Sequence, residues 1–205
     1  MSAVQRWSDA RRVLCVRLDQ LGDLLMTTPA LRALRALPAA PELVLLGSPA
    51  AARCAAHVPE LDGAIEYAAP WMKATAAPDA SADRALVERL RGERFDAAVV
   101  FTVYTQSALP AALLCLLAEI PLRLAHAREN PYHLLTHWVP DPEPAAGVRH
   151  EVRRQLDLVA AIGAHAPDER LSLRVAPDAR ERVRSRLARC GVDPARRWLA
   201  LHPGA

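Results

Sequence analysis

Segments with the pattern of buried strands alternate with segments of helical periodicity along most of this 205-residue chain. Residues 12–17 form a compact apolar run with β-branched content, which is typical of a buried strand. A polar loop follows, and then Leu24, Leu31 and Leu34 share one face of a predicted helix. Because such alternation is typical of parallel sheets with crossover helices, it predicts an α/β fold with a Rossmann-like, doubly wound parallel sheet.

The same patterns place the other elements. The further predicted strands are 42–47, 64–67, 96–103, 121–125 and 198–201; the further predicted helices begin at Pro49 or cover 83–91, 106–119, 150–162 and 178–190, and loops are expected at 70–82 and 130–147. The first helix has two possible starts, at Asp23 with a kink at Pro29, or at Pro29 itself. In the last helix, Val183 and Leu187 are expected to face the interior.

Composition excludes several classes of protein. Hydrophobic residues make up 52% of the chain and charged residues 24%, as in an ordinary globular protein with a core. The net charge of +3 is too small to indicate nucleic-acid binding. The four cysteines form no CxxC pair, so the usual zinc and redox signatures are missing. The longest apolar run, 108–118, is shorter than a membrane span, and no signal peptide is visible, so a soluble cytoplasmic protein is expected.

The loop after the first strand is the first candidate for a functional site, because ligands of open parallel sheets bind at the carboxyl ends of strands. It contains Asp19, Gly22 and Asp23, but no GxGxxG fingerprint and no Walker lysine. The glycine leaves room for a ligand to approach closely. Two hypotheses for Asp23 stay open: it caps the helix, or it accepts a proton from a hydroxyl nucleophile.

Three segments of the chain carry a resemblance to a known family. They are LDQLGDLLMTTPAL at 18–31, HEVRRQLD at 150–157 followed by Gly163, and LHPGA at 201–205. In this order and spacing they resemble the motifs of glycosyltransferase family 9, the bacterial ADP-heptose:lipopolysaccharide heptosyltransferases and their relatives.

The resemblance implies a GT-B fold, in which two Rossmann-like domains face each other across a cleft. Residues 1–197 would be the amino-terminal, acceptor-side domain and 198–205 the start of a truncated donor-binding domain, so the chain is expected to be an inactive piece of a transferase. The implied reaction transfers a heptose or related sugar, with inversion and without a metal or other cofactor, from an ADP-sugar to a lipopolysaccharide core or similar surface glycan. A lipid-linked acceptor implies peripheral association with the cytoplasmic face of the inner membrane.

The resemblance also implies roles for individual residues. Asp23 would be the general base. The acceptor side would be formed by Arg17, Asp19, Gly22, Arg123, His126, His150 and Arg154, and the donor phosphates would meet His202, Gly204 and Ala205. His150 and Arg154 are spaced i, i+4 and can share one helix face, where a basic pair favours a phosphate or the carboxylate of Kdo.

Two other classes of function remain possible from the residues. A nucleotide-binding Rossmann oxidoreductase is disfavoured by the missing glycine fingerprint, and a nicotinamide titration would identify it. A non-catalytic module that binds a glycolipid headgroup would keep its function after loss of Asp23. For Asp19 two interpretations stay open: it assists Asp23 or binds the acceptor, or it is a solvated loop aspartate.

Overall fold

The computed structural model of the chain describes residues 6–73, 79–193 and 196–201. It divides into two compact units, residues 1–173 and 174–205. The first unit holds a six-stranded sheet and the helices that cover it, and the second holds one described helix.

The sheet is parallel throughout, as the sequence predicts. Its strands are β1 (Arg12–Arg17), β2 (Glu42–Gly47), β3 (Gly63–Glu66), β4 (Ala97–Val100), β5 (Leu122–Ala127) and β6 (His137–Pro140). Their order is β3-β2-β1-β4-β5-β6, with every neighbouring pair parallel. The strand order therefore reverses at β1, and the crevice at its carboxyl end is the topological switch point at which such sheets bind ligands.

Helices connect the strands in sequence. The helices of the first unit are α1 (Leu21–Arg35), α2 (Pro49–Cys54), α3 (Ala80–Glu93), α4 (Leu109–Leu117) and α5 (Glu151–Ala160), and α6 (Pro177–Arg189) lies in the second unit. Side chains cap the starts of α2 and α3, where Ser48 accepts the Ala51 N–H and Asp79 accepts the Ser81 N–H.

Successive side chains of the strands enter two separate cores, one on each face of the sheet. Val13 and Cys15 of β1 belong to a cluster with residues of α1, α2 and α5. Leu14 and Val16 belong to the other cluster, with residues of α3 and α4. Burial of both faces explains why β1 reads as a continuous apolar run instead of an alternating one.

Helix α1 begins at Leu21 and continues through Pro29, so the prediction that it begins at Pro29 is wrong. Proline lacks the N–H that would bond to the carbonyl four residues earlier, at Leu25. The Thr28 hydroxyl donates to that carbonyl at 2.7 Å instead. Thr28 therefore supplies the hydrogen bond that its neighbour cannot make.

Three predictions about the second half of the chain need correction. Strand β6 lies inside the predicted loop 130–147; as an edge strand with half-exposed side chains and Pro140 at its end, it has little apolar signal. Residues 198–201 are exposed and have no strand structure. In α6 no residue is buried, and Val183 is 57% exposed, because the described part of the second unit has no other helix or strand to cover it.

Within the described residues, no helix combines the length and apolar character needed to cross a membrane.

The packing of α1 against α5 gives a test of the fold. Leu31 of α1 is buried in the core that these two helices share. We expect Leu31→Ala to lower the free energy of unfolding by about 2–5 kcal/mol, because it removes buried methyl groups and leaves a cavity. Urea denaturation measures the change, with Leu113→Ala on the exposed face of α4 as the control. Equal losses for the two variants would contradict this assignment of the core.

Candidate active site

A cleft of about 770 Å³ opens at the carboxyl ends of β1 to β4. Its wall is formed by the loop after β1, the start of α2, the segment after β3 and the loop after β4. The polar and aromatic side chains that line it include Asp19, Asp23, Arg53, Tyr67, Trp71, Lys73 and Gln106. The cleft therefore lies where the strand order reverses, as expected for a ligand site in this type of sheet.

Asp23 lies in the first turn of α1, and its side chain is 30% exposed toward the cleft. Its Oδ2 accepts the backbone N–H of Gln20 at 3.1 Å, which caps the helix. Its Oδ1 lies 3.4 Å from Nη2 of Arg17. The two hypotheses for Asp23 are thus compatible, because the cap fixes the carboxylate while one side of it faces open space.

Arg17, the last residue of β1, is fully buried and lies among three carboxylates. Its Nε is 3.0 Å from Asp19, and its Nη2 is 2.8 Å from Glu151 and 3.4 Å from Asp23. One positive charge thus faces three acidic side chains from the loop after β1, from α1 and from α5. Its burial gives Arg17 the role of holding these carboxylates, with no surface exposed to an acceptor.

Asp19 is buried beneath Asp23, with 5% of its surface exposed, so it is not the solvated aspartate of the alternative interpretation. Burial raises its pKa, and the Arg17 charge and a hydrogen bond from the Gln106 amide partly oppose that rise. Its backbone carbonyl accepts the Ser48 hydroxyl at 2.6 Å. Side chains at the ends of β2 and β4 thus fix the loop after β1.

Several residues of the cleft were not identified from the sequence. Arg53 of α2 and Lys73 are exposed cations at the cleft, with no ion-pair partner among residues 6–73, 79–193 and 196–201. The Trp71 and Tyr67 rings pack edge to face with their centroids 5.8 Å apart, and the Tyr67 hydroxyl donates to Asp83 of α3 at 2.8 Å. Ligand sites lie at the carboxyl ends of parallel strands, and the segments that follow β2 and β4 contain Ser48 and Gln106. The same reasoning that selects the loop after β1 therefore identifies these two residues.

Gly22 and His150 occupy exposed positions near helix starts. A Cβ atom on Gly22 would meet nothing within 4 Å, so neither packing nor backbone conformation requires glycine there. That leaves open space in front of the first turn of α1. His150 is the N-cap residue of α5 and is not among the residues that line the cleft.

Arg154 does not form an exposed basic pair with His150, because it is 1% exposed. Its Nη1 and Nη2 donate to the two carboxylate oxygens of Asp141 at 2.8 and 2.9 Å, and its Nε donates to the Thr102 carbonyl at 2.9 Å. Glu143 lies 3.4 Å from the same Nη1. These contacts use the guanidinium to hold α5 against the segment after β6, which leaves it unavailable to a ligand.

The structure does not bring Arg123 or His126 to the cleft. Arg123 lies near the amino end of β5 and donates to the backbone carbonyls of Leu134 and His133 at 2.8 and 2.9 Å. His126 is 4% exposed, and its Nε2 lies 3.2 Å from the Arg154 carbonyl. Both side chains therefore join β5 to neighbouring segments.

The three donor-phosphate residues, His202, Gly204 and Ala205, lie outside the described residues. In the part of the chain that is described, no group of three or more His, Cys, Asp or Glu side chains is arranged to hold a metal ion.

Comparison with known proteins gives matches among solved structures only. No protein-family model and no curated protein matches the sequence. The glycosyltransferase of family 9 from Veillonella parvula matches with a TM-score of 0.65 and 15% identity, over 93% of this chain and 52% of that one. The Escherichia coli ADP-heptose LPS heptosyltransferase II matches with a TM-score of 0.63 and 20% identity, over 89% of this chain and 51% of that one.

A third structure, the Escherichia coli heptosyltransferase WaaC with ADP, matches with a TM-score of 0.54 and 22% identity, over 78% of this chain and 50% of that one. The chain thus spans about half the length of the solved structures that it matches. At these identities the likeness concerns the fold, and it agrees with the fold that the sequence resemblance implies.

The buried contacts of Arg154 predict a large loss of stability on truncation. Arg154→Ala leaves Asp141 and Glu143, 4% and 1% exposed, without their buried cation. We expect the free energy of unfolding to fall by about 3–5 kcal/mol. The neighbouring Arg153 forms an exposed ion pair with Glu169, so Arg153→Ala should cost less than about 1 kcal/mol. Chemical denaturation of both variants measures the difference, and similar losses would contradict the structural role of Arg154.

Burial of His126 predicts a dependence of stability on pH. Burial lowers the pKa of His126 from its ordinary 6.5, and the nearby Arg154 and Arg149 charges lower it further, against the hydrogen bond to the Arg154 carbonyl. Below about pH 6.5 the unfolded chain therefore binds a proton that the folded chain does not, and the free energy of unfolding falls until the pH passes below the folded pKa.

We expect His126→Gln to reduce this slope in urea unfolding measured between pH 7 and pH 5. Burial also lowers the pKa of His137, so a second variant, His137→Gln, should reduce part of the remaining slope. A slope that neither variant changes would mean that other groups govern the acid sensitivity.

Proposed function

We propose that this chain belongs to glycosyltransferase family 9 and forms the acceptor-side half of an inverting, metal-independent GT-B enzyme. The enzyme would transfer a heptose or related sugar from an ADP-sugar to a lipopolysaccharide core or a similar surface glycan. The fold shared with the family 9 glycosyltransferase and the two heptosyltransferases supports this proposal. The sequence motif at 18–31 supports it independently.

One observation carries the proposal: a fixed, partly exposed carboxylate at the topological switch point of the sheet. Asp23 is held by the Gln20 N–H and faces a cleft large enough for a sugar. A general base needs a fixed position and an accessible oxygen, and Asp23 has both.

In the proposed reaction, a hydroxyl of the acceptor glycan donates its proton to the Asp23 carboxylate. The hydroxyl oxygen forms a bond to the anomeric carbon of the sugar, on the face opposite the leaving group. The bond from that carbon to the diphosphate oxygen breaks, and ADP departs with the bonding electrons. This displacement inverts the anomeric carbon, and Asp23 contributes by orienting and deprotonating the nucleophile.

The cleft favours an acceptor that carries negative charge. Arg53 and Lys73 provide two exposed cations, and Trp71 provides an apolar surface for a sugar ring. A phosphate or a sugar carboxylate would pair with these cations, in place of the His150 and Arg154 pair suggested by the sequence. Arg17 and Asp19 would then act from beneath the cleft, and Gly22 would leave room for the acceptor.

The rest of the proposal concerns the donor side and the location. We assign residues 1–197 to the acceptor domain and 198–205 to the start of the donor domain, with His202, Gly204 and Ala205 near the donor phosphates. The donor is a nucleotide sugar, and no cofactor is required. A lipid-linked acceptor would place the enzyme at the cytoplasmic face of the inner membrane as a peripheral protein.

Replacement of Asp23 by asparagine tests the proposed base. In the protein at its full natural length, Asp23→Asn keeps the shape of the side chain and removes the proton acceptor. We expect kcat for transfer from an ADP-sugar to fall roughly 10²–10⁴-fold, the usual loss for a general base, with little change in donor affinity. Steady-state kinetics with ADP-heptose and a lipopolysaccharide-core acceptor, together with donor titration, measure both quantities.

Asp9→Asn is the matched control, because Asp9 is an exposed aspartate that precedes β1 at the opposite end of the strands. It should leave kcat unchanged. Full transferase activity of Asp23→Asn would rule out the catalytic role of Asp23. Binding of the glycan acceptor by the unchanged protein, without sugar transfer, would favour a glycan-binding module. Binding of a nicotinamide cofactor, without sugar transfer, would favour an oxidoreductase.

A further inference from the structure

The three carboxylates around Arg17 lie at different distances from its guanidinium nitrogens. Nη2 lies 2.8 Å from Glu151, a hydrogen bond, and 3.4 Å from Asp23, which is longer than a charge-assisted hydrogen bond. Nε lies 3.0 Å from Asp19. Of these three contacts only the one to Glu151 is a hydrogen bond, so Nη2 is directed toward Glu151 and not toward Asp23.

Glu151 is fixed in this position by its own helix. Its Oε1 accepts the Gln155 amide at 2.6 Å as well as Nη2 of Arg17, and the same amide nitrogen lies 3.0 Å from the Thr102 carbonyl beyond β4. The Glu151 side chain is 17% exposed, whereas that of Asp23 is 30% exposed. Glu151 thus competes with Asp23 for Nη2 from a more buried and better anchored position.

We propose that Glu151 is a positioning residue that keeps the Arg17 guanidinium from closing on Asp23, so that the Asp23 carboxylate stays free to accept a proton. The part of this inference that concerns catalysis rests on the proposed function. A guanidinium hydrogen-bonded to Asp23 would stabilise the carboxylate and make it a weaker base. Glu151, though not adjacent to the cleft opening, would in this way maintain the reactivity of the base.

The charges around Asp23 give the direction of the expected pH effect. Arg17 faces it from β1, Asp19 from the following loop and Glu151 from α5, while Arg53 of α2 and Lys73 line the same cleft. Glu151→Gln removes one negative charge and releases Nη2 toward Asp23. Both changes favour the charged form of the Asp23 carboxyl, so the acidic limb of the kcat/KM profile should move to lower pH.

The first experiment is structural and does not depend on activity. A crystal structure of the E151Q variant is expected to show Nη2 of Arg17 moving from 3.4 Å to about 2.8 Å from Oδ1 of Asp23. The matched control is Glu169→Gln, which removes a carboxylate from the exposed ion pair with Arg153 on the same helix. The control should leave the distance from Arg17 to Asp23 unchanged.

The second experiment measures kinetics of the protein at its full natural length. We expect E151Q to lower kcat roughly tenfold, less than loss of the base itself, without changing the KM for the donor. The acidic limb should move to lower pH in E151Q and stay in place in E169Q. Glu151→Asp, which keeps the charge, should recover part of the lost kcat.

Several outcomes would overturn the inference. They are an E151Q protein that does not fold, an unchanged Arg17–Asp23 distance, and a lower melting temperature with normal kcat and pH profile, each of which would make Glu151 only a structural partner of Arg17. If the wild-type protein transfers no sugar while the distance shortens in E151Q, the proposed function fails but the competition for Arg17 stands.

Discussion

The buried guanidinium of Arg17 is the interaction on which the candidate site depends. A buried cation needs ion-pair or hydrogen-bond partners, and Arg17 at the end of β1 has three carboxylates near it, from the following loop, from α1 and from α5. For the properties of the site, the excess of negative charge around Arg17 is as important as the ion pairs themselves. One guanidinium carries a single positive charge and cannot neutralise three carboxylates, and Asp23 has the longest contact with it.

The fold follows from the sequence where local signals are strong. Strands β1 and β2 are predicted to the residue, because both lie inside the sheet and their apolar runs are bounded by polar or glycine residues. Strand β6 is missed because an edge strand needs few apolar side chains. The start of α1 is ambiguous, because proline at position 29 indicates a helix start unless a neighbour replaces its hydrogen bond.

Only part of the candidate site can be predicted from the sequence. The loop with Asp19 and Asp23 is found by its position after the first strand, a local property. Glu151 and Gln106 lie far along the chain from that loop, and only the parallel sheet brings them to it. Arg154 shows the reverse: its spacing from His150 suggests a basic surface, but its partners Asp141 and Thr102 lie in other segments and bury it. Charge in a sequence thus indicates a site only when the burial is known.

The Thr28 hydroxyl has a consequence for how this protein can change over time. It donates to the carbonyl that Pro29 leaves open, and it accepts the backbone N–H of Ser172 at 2.9 Å, near the end of the first unit. Replacement of Pro29 by alanine would return an N–H to that carbonyl, so Pro29 can be lost by itself. Replacement of Thr28 by valine would leave the Leu25 carbonyl and the Ser172 N–H, both partly buried, without these hydrogen bonds. The two positions therefore differ in the substitutions they tolerate: loss of Pro29 alone costs no hydrogen bond, whereas loss of Thr28 while Pro29 remains costs two.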